Sequence, residues 1–325
     1  MSDSEYTGGR RPFDECHEVS AFCPVEATVL GYYPNLGSGI FFTIGFGSLF
    51  IAAAILSVWK RTWSFGGFIC AGLVLEMSGY IGRILLNDNP WNSDAFQLQI
   101  CAIIIGPTLL CVSLYLTLKH VALHLSAELS RIRPKWYPFI FLPADLCCLC
   151  VQAIGGGLAA AAGRDNISLL NGGNNAIIAG IVLQVVVLLF FGITSADYLF
   201  RVKKHFQTSS SADPTALALW NSPTFRRFLW AVGGAYFAIL TRCIYRIAEM
   251  ALGWGNHIMQ DEPSFLVLDS TLMFVATFLL TAFHPGLFFP QMSNSKRVSA
   301  SEKQASTLNN ETGDSSNEGV KTSAV

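Results

Sequence analysis

The sequence predicts an all-α integral membrane bundle of seven transmembrane helices, with the N-terminus outside and the C-terminus in the cytoplasm. Three observations carry this reading. Of the 325 residues, 52% are hydrophobic and only 13% charged, with a mean hydropathy of +0.44; a soluble domain averages about 25% charged residues. Seven apolar stretches occupy 38–58, 66–86, 97–118, 139–162, 176–199, 228–251 and 265–289, each long enough to cross a hydrocarbon core, which takes ~20 helical residues. Finally, the basic residues collect in alternate connections.

Residues 1–37 are polar and carry no charged n-region, apolar core and cleavage site, so the first span is expected to act as its own insertion signal behind an extracellular tail. Cys16 and Cys23 lie together in that tail. An extracellular placement would permit a disulfide between them, and the spacing leaves the pairing undecided. The first span, 38–58, is followed by Lys60 and Arg61. The second, 66–86, contains E-M-S-G-Y-I-G-R, in which Glu76 and Arg83 stand seven residues apart. Two helical turns put them on one face, near Gly79 and Tyr80. Gly66, Gly67, Gly72, Gly79 and Gly82 would let a neighbouring helix approach closely.

The third span, 97–118, is followed by Lys119, Arg131, Arg133 and Lys135. The fourth, 139–162, carries Asp145 and, seven residues on, Gln152; Gly155–Gly157 suit a tight crossing or a locally unwound segment. In the fifth, 176–199, Gln184 and Asp197 are polar, and Arg201, Lys203, Lys204, Arg226 and Arg227 follow it. The sixth, 228–251, contains R-C-I-Y-R-I-A-E, where Arg242, Arg246 and Glu249 share a face and Tyr245 lies beside them. The seventh, 265–289, has Asp269 near its outer end. Beyond it, 290–325 is rich in Ser, Thr, Asn, Glu and Gly and reads as a disordered cytoplasmic tail, with Lys296, Arg297 and Lys303 close to the membrane.

The connections after the second and sixth spans hold no Lys or Arg, and the one after the fourth holds only Arg164. Positive-inside bias therefore fixes the orientation. The sequon at Asn166 falls on the outer side; the one at Asn310 falls inside.

Ionisable residues at membrane depth cost at least ~2.5–3.5 kcal/mol each on insertion scales and normally face a bundle interior or a wet cavity. Arg83, Arg242, Arg246, Glu249 and Asp269 are expected in the outer half, Glu76 near the middle, and Asp145 and Asp197 toward the cytoplasm. Three arginines with two carboxylates point to an outward-facing polar cavity. The competing reading is an ion-pair lattice that only sets helix registry.

Several functions are excluded, and inverted-repeat transporter plans are weakened. There is no Walker-type loop and no 20–50-residue repeat, and seven spans do not divide into equal halves. Of six histidines only His284 lies in a span; His120 and His124, four apart, lack a third ligand for zinc. No lysine stands mid-way in the seventh span to form a retinal Schiff base. Most of the nine cysteines lie in helices, for example Cys70, Cys101, Cys111, Cys147, Cys148 and Cys150, and read as small hydrophobes in packed helices. No catalytic residue, metal ligand or cofactor is expected.

Over residues 30–290 the chain resembles the fungal RTA-like family, seven-helix membrane proteins named for resistance to an aminocholesterol toxin and described as lipid-translocating exporters. The resemblance rests on Y-Y-P-N at Tyr32–Asn35, Glu76–Arg83, a third span with Gln97, Pro107 and Tyr115, and Asp145…Gln152…Gly155–Gly157. It continues through Gly180…Gln184, Arg242–Glu249, Glu262…Asp269 and His284-Pro-Gly. Where the family has Ala-Pro and paired alanines, this chain has Gly106-Pro107 and Cys111-Val112.

The resemblance implies a non-enzymatic, multi-pass exporter of amphipathic molecules such as sphingoid bases, sterol-like toxins or porphyrins, in the plasma membrane, giving resistance to toxic lipids. Its partners would be membrane lipids or amphipathic small molecules, and no nucleic acid. The residues expected to meet substrate are Glu76, Tyr80, Arg83, Asp145, Gln152, Gln184, Arg242, Tyr245, Arg246, Glu249 and Asp269. Acidic members suit a cationic headgroup and arginines an anionic one. Glu76, the deepest acid, is placed to accept a proton during transport or to pair with a cationic headgroup. A seven-helix receptor for lipid-like ligands is the alternative. The orientation is checked by tagging Ser2 and Val325: protease added to intact cells should remove the first tag and spare the second.

Overall fold

A computed structural model describes residues 16–162, 166–208, 214–251 and 255–288. Arg164, the sequon at Asn310 and the tail 290–325 with Lys296, Arg297 and Lys303 lie outside the described residues. Ten α-helical segments follow in order: α1 (Leu36–Trp59), α2 (Trp63–Asp88), α3 (Ser93–Leu125), α4 (Tyr137–Ala162), α5 (Ile167–Thr208), α6 (Pro214–Asn221), α7 (Pro223–Ala251), α8 (Glu262–Phe265), α9 (Leu272–Ala282) and α10 (Pro285–Phe288). Among the described residues seven helices are long and apolar enough to cross a membrane: α1 to α5, α7 and the composite α8–α10. Among the described residues there is no β-strand, only one isolated bridge between Ser20 and Cys23.

The helices start where local chemistry satisfies their first N–H groups. Asn35 caps α1 by accepting from the Ser38 N–H (3.1 Å), and Asn92 caps α3 by accepting from that of Ala95 (3.1 Å). Successive helices then pack as hairpins, α1 on α2, α2 on α3 and α4 on α5, while α7 lies against α5 and α9. Aromatic and aliphatic side chains such as Phe46, Tyr80, Tyr115, Phe141 and Phe228 fill the interior. Ile44, Ile55, Val186, Ile193 and Trp230 point outward, as lipid-facing side chains must.

Two hairpins depend on glycine. A Cβ at Gly82 of α2 would lie 2.9 Å from the Ala95 carbonyl of α3, and Gly72 and Gly79 meet the same helix. A Cβ at Gly173 of α5 would lie 2.6 Å from the Ala159 nitrogen of α4, and one at Gly155 would lie 2.7 Å from the Gly173 carbonyl. The Gly155–Gly157 run is thus a tight crossing within an unbroken helix. It works through Gly155, because a Cβ at Gly156 or Gly157 would meet nothing. Gly66 faces Ser57 on α1, and Gly67 faces open space.

Three elements differ from the sequence expectation. α5 is 42 residues long, well beyond 176–199. Its first turns continue through Asn-Gly sequence because Gly173 packs on α4. Its last turns continue because Tyr198 and Val202 are buried, with the Tyr198 hydroxyl donating to the Ala122 and Ser126 carbonyls (3.4 and 3.3 Å). The seventh span is not one regular helix. A π-helical turn covers Leu266–Thr271, and the helix breaks before Pro285, since a residue preceding proline is disfavoured in the α region. At that break the Gly286 N–H donates to His284 Nδ1 (3.0 Å), and His284 Nε2 lies 3.2 Å from Ser57 Oγ. Lastly, Cys101, Cys147 and Cys150 are exposed on outward helix faces, whereas Cys111, Cys148 and Cys243 are packed inside.

The segment before α1 lies across the end of the bundle formed by the α2–α3 turn and the start of α8. Cys16 and Cys23 are joined by a disulfide. Asn89 Nδ2 donates to the His17 carbonyl (2.8 Å), Trp91 Nε1 to that of Cys23 (3.3 Å) and Asn87 Nδ2 to that of Pro34 (2.8 Å). Lys60, Arg61, Arg131, Arg201, Lys204 and Arg226 belong to the opposite end.

The glycine crossings make a paired test. Gly173→Ala forces backbone apart and should cost about 1–3 kcal/mol by overpacking. Gly172→Ala, where a Cβ meets nothing, should be neutral or gain up to ~1 kcal/mol in helix propensity. Thermal melts of the purified variants in detergent check the difference.

Candidate functional site

Membrane depth sets the terms of the site. A buried charge that lacks a partner is expensive, and losing one member of a buried pair costs about 3–5 kcal/mol. The largest group of ionisable side chains inside this bundle accordingly converges from α7 and the π-helical turn. Arg242 and Arg246 are one turn apart on α7, and both approach Asp269 Oδ1, at 2.9 and 3.1 Å. Arg246 also pairs with Glu249 one turn farther along. Asp269 is fully buried. The π-helical turn widens the helix where this carboxylate enters, and such turns often mark functional positions.

Pro107 explains a further contact. In a regular α3 the amide of residue 107 would donate to the Ile103 carbonyl, but proline has no N–H. Arg242 Nη2 donates to that orphaned carbonyl instead, at 2.5 Å. A sequence feature that usually breaks helices thus becomes an anchor for the central arginine.

Nearer the covered end, Arg83 forms a second group. Its Nη2 donates to Glu262 Oε1 (2.7 Å) and to the Tyr32 oxygen (3.0 Å), and its guanidinium lies over the Phe265 ring, 4.5 Å from the centroid. Glu262 Oε1 also accepts from the Asn35 N–H (2.8 Å), so one carboxylate ties α2, α8 and the start of α1. Burial raises the Tyr32 phenol above its ordinary pKa, which keeps it neutral as an acceptor for Arg83.

The two groups share a crevice lined by Tyr32, Arg83, Gln99, Arg246, Glu249 and Phe265, with about 10 Å³ open to the centre of a water molecule. That is room for roughly one water. The charged residues expected to line an outward-facing cavity are packed here as an ion-pair lattice around a narrow cleft, because the guanidinium groups themselves fill the space.

The remaining expected residues sit elsewhere along the bundle. Gln152 Nε2 donates to Gln184 Oε1 (3.1 Å), and Gln184 Nε2 donates to Thr108 Oγ1 (3.0 Å), linking α4, α5 and α3. The Tyr115 hydroxyl donates to Asp145 Oδ2 (2.7 Å). Asp197 lies at the basic end with Arg131 and Arg201 (3.0 and 2.9 Å). Tyr80 is stacked on Phe46 and packs against Phe42, while the buried Tyr245 hydroxyl has no hydrogen-bond partner. Glu76 stands apart: it is fully buried, and neither carboxylate oxygen has a hydrogen-bond partner. A Cβ on Gly106 would come within 2.8 Å of its Oε1, so the carboxyl rests on bare backbone.

Glu262, Tyr32, Thr108 and Tyr115 were absent from the expected contact set, although three of them fall within its motifs. Their signal was weak because Tyr32 precedes α1 and Glu262 opens the short α8, where both resemble ordinary loop polarity, while Thr108 follows Pro107 within an apolar helix. Of the glutamines in α3, Gln99 is buried and Gln97 is exposed. Among the described residues no three His, Cys, Asp or Glu side chains gather to hold a metal ion.

The same residues can be set against known proteins. The chain is similar to the sphingoid long-chain base transporter RSB1 of Saccharomyces cerevisiae (strain Lalvin EC1118), 31% identical over 311 residues, which cover 86% of this chain and 78% of the relative. It is also similar to protoporphyrin uptake protein 1 of Saccharomyces cerevisiae, 26% identical over 223 residues and 67% of each chain. Protein RTA1 of the same yeast is 23% identical over 280 residues, covering 78% of this chain and 84% of the relative. No solved structure matches. Residues 69–292 fit the family model described as RTA1 like protein, a match that takes in Glu76, Arg83, the α7 arginines and Asp269: this multi-pass membrane protein belongs to the RTA1-like family.

Proposed function

We propose that the protein transports amphipathic, lipid-like molecules across the plasma membrane, with cationic long-chain bases foremost, and thereby confers resistance to toxic lipids. The observation that carries the reading is the staggered series of buried polar groups through an otherwise apolar bundle. Arg83 with Glu262, the Arg242–Asp269–Arg246–Glu249 lattice, Glu76, the Thr108–Gln184–Gln152 relay and the Tyr115–Asp145 pair occupy successive levels. An amphipathic lipid needs polar stations for its headgroup while its tail stays in hydrocarbon, and a purely structural lattice has no use for so many depths. The long-chain base transporter among the relatives supports the choice of substrate.

The protein sits with its N-terminal segment outside. The basic residues of the opposite end support this placement, as does the Cys16–Cys23 disulfide, a bond that persists in oxidising compartments. In this orientation the Arg83–Glu262–Tyr32 clasp lies on the outer side, and the headgroup path runs inward from it along α3.

Vesicles containing only the purified protein and a fluorescent long-chain base test the proposal, with transfer between leaflets read by quenching from one side. Protein-dependent transfer is expected. Binding without transfer would instead favour a receptor for lipid-like ligands, and neither binding nor transfer by folded protein would overturn both. Arg246→Ala strands Glu249 and half of the Asp269 pairing, so it should destabilise by about 3–5 kcal/mol and lower transfer at least tenfold per folded molecule. Melting temperature and transfer rate measured on the same preparation separate the two effects.

A further inference from the structure

Charge balance inside the bundle leaves one group unaccounted for. Among the described residues Arg83, Arg242 and Arg246 are the buried arginines, and they are matched by three carboxylates, Glu262, Asp269 and Glu249. Asp145 is stabilised separately by the Tyr115 hydroxyl. Glu76 remains. It is fully buried, no hydrogen bond reaches either oxygen, and it has no ion pair.

Its surroundings offer no relief. On α2 itself Tyr80 is the neighbouring titratable group. From α7 the nearby charges are Arg242 and Arg246, and from the π-helical turn Asp269, all committed to one another. α3 presents the backbone of Gly106. α1, which carries no charged residue, presents Phe42 and Phe46 against Tyr80. A carboxylate in such a place is stable only when something neutralises it. The candidates small enough for the packed space are a proton, held as the neutral acid, or a cation that inserts when the helices part.

We propose that Glu76 holds a proton and the ammonium group of a cationic lipid in turn, so that each long-chain base moved across the membrane is exchanged for one proton; the inference rests on the transport reading above. The step balances simply. The neutral acid releases its proton to water on the side from which the base enters. The carboxylate so formed accepts hydrogen bonds from the entering R–NH3+, with no net change in buried charge. On the far side the base leaves and a proton from that side returns to the same oxygen. Because the empty carboxylate is too costly to carry through the bundle, only the protonated or ammonium-bound form changes sides, and neither leak of protons nor uncoupled return of the base is favoured. Direction then follows the proton gradient, and no nucleotide hydrolysis is needed. The three Arg–carboxylate pairs do not take part in the exchange; they hold the neutral frame that leaves Glu76 with one vacancy for one positive charge.

The exchange is read most directly at the binding step. Purified full-length protein in weakly buffered detergent at pH 6, well below the pKa of an alkyl amine (~10.4), is titrated with sphingosine, and released protons are followed with a pH dye against protein-free micelles. About one proton per bound base is expected, together with loss of a protonated-carboxyl band in the infrared difference spectrum. Glu76→Gln, similar in shape, should lack both the band and the proton release. If wild-type protein binds sphingosine without releasing a proton, the exchange is wrong and the transport reading stands. If wild-type protein neither binds nor moves the base, both fall.

Discussion

The structure depends on the requirement that buried charge be paired, and Asp269 is where that requirement is met most economically. One carboxylate receives two guanidinium groups from α7, and the second of those groups is neutralised by Glu249 on the same helix. The arrangement fixes the rotation of α7, because Arg242 and Arg246 must both face the seventh span. It also fixes the π-helical turn, which brings Asp269 inward at the height of the arginines. Removing the shared carboxylate would leave two cations competing for one acid in a medium that solvates neither.

The same constraint recruits the backbone. Pro107 withholds an amide from Ile103, and Arg242 satisfies the carbonyl left behind. α3 therefore belongs to the lattice through a main-chain oxygen, although it supplies no charge there. The glycine contacts between α2 and α3 work toward the same end. By letting the two backbones approach, they press Glu76 against Gly106 and exclude any side chain that could have hydrogen-bonded it. Close packing and an unpartnered acid are thus two consequences of one choice of residues.

At the covered end, Glu262 joins three elements that are remote in sequence, the start of α1, the end of α2 and α8, through Asn35, Arg83 and its own helix. Together with the disulfide-bonded N-terminal segment, it closes the bundle over the charged lattice. The proposed passage of an amphipathic headgroup would need the polar interior shielded between turnovers, and a clasp of one arginine with one carboxylate can open without unfolding either helix. The basic opposite end is built differently, from exposed pairs such as Arg131–Asp197, which contribute little in water.

The sequence by itself determined the number of spans, their approximate limits and the presence of charge on the inner faces. Those properties follow from hydropathy and helical periodicity, which are local. The i, i+4, i+7 spacing of Arg242, Arg246 and Glu249 was enough to place them on one face, and the glycines of α2 were enough to indicate a close neighbour. Partner identity was not legible. Nothing near Arg83 in the chain names Glu262, and nothing in Pro107 names Arg242, since both contacts span more than a hundred residues. The isolation of Glu76 was still less accessible. A missing partner is a property of everything packed around a group, and only the assembled bundle shows that every arginine within reach is already engaged.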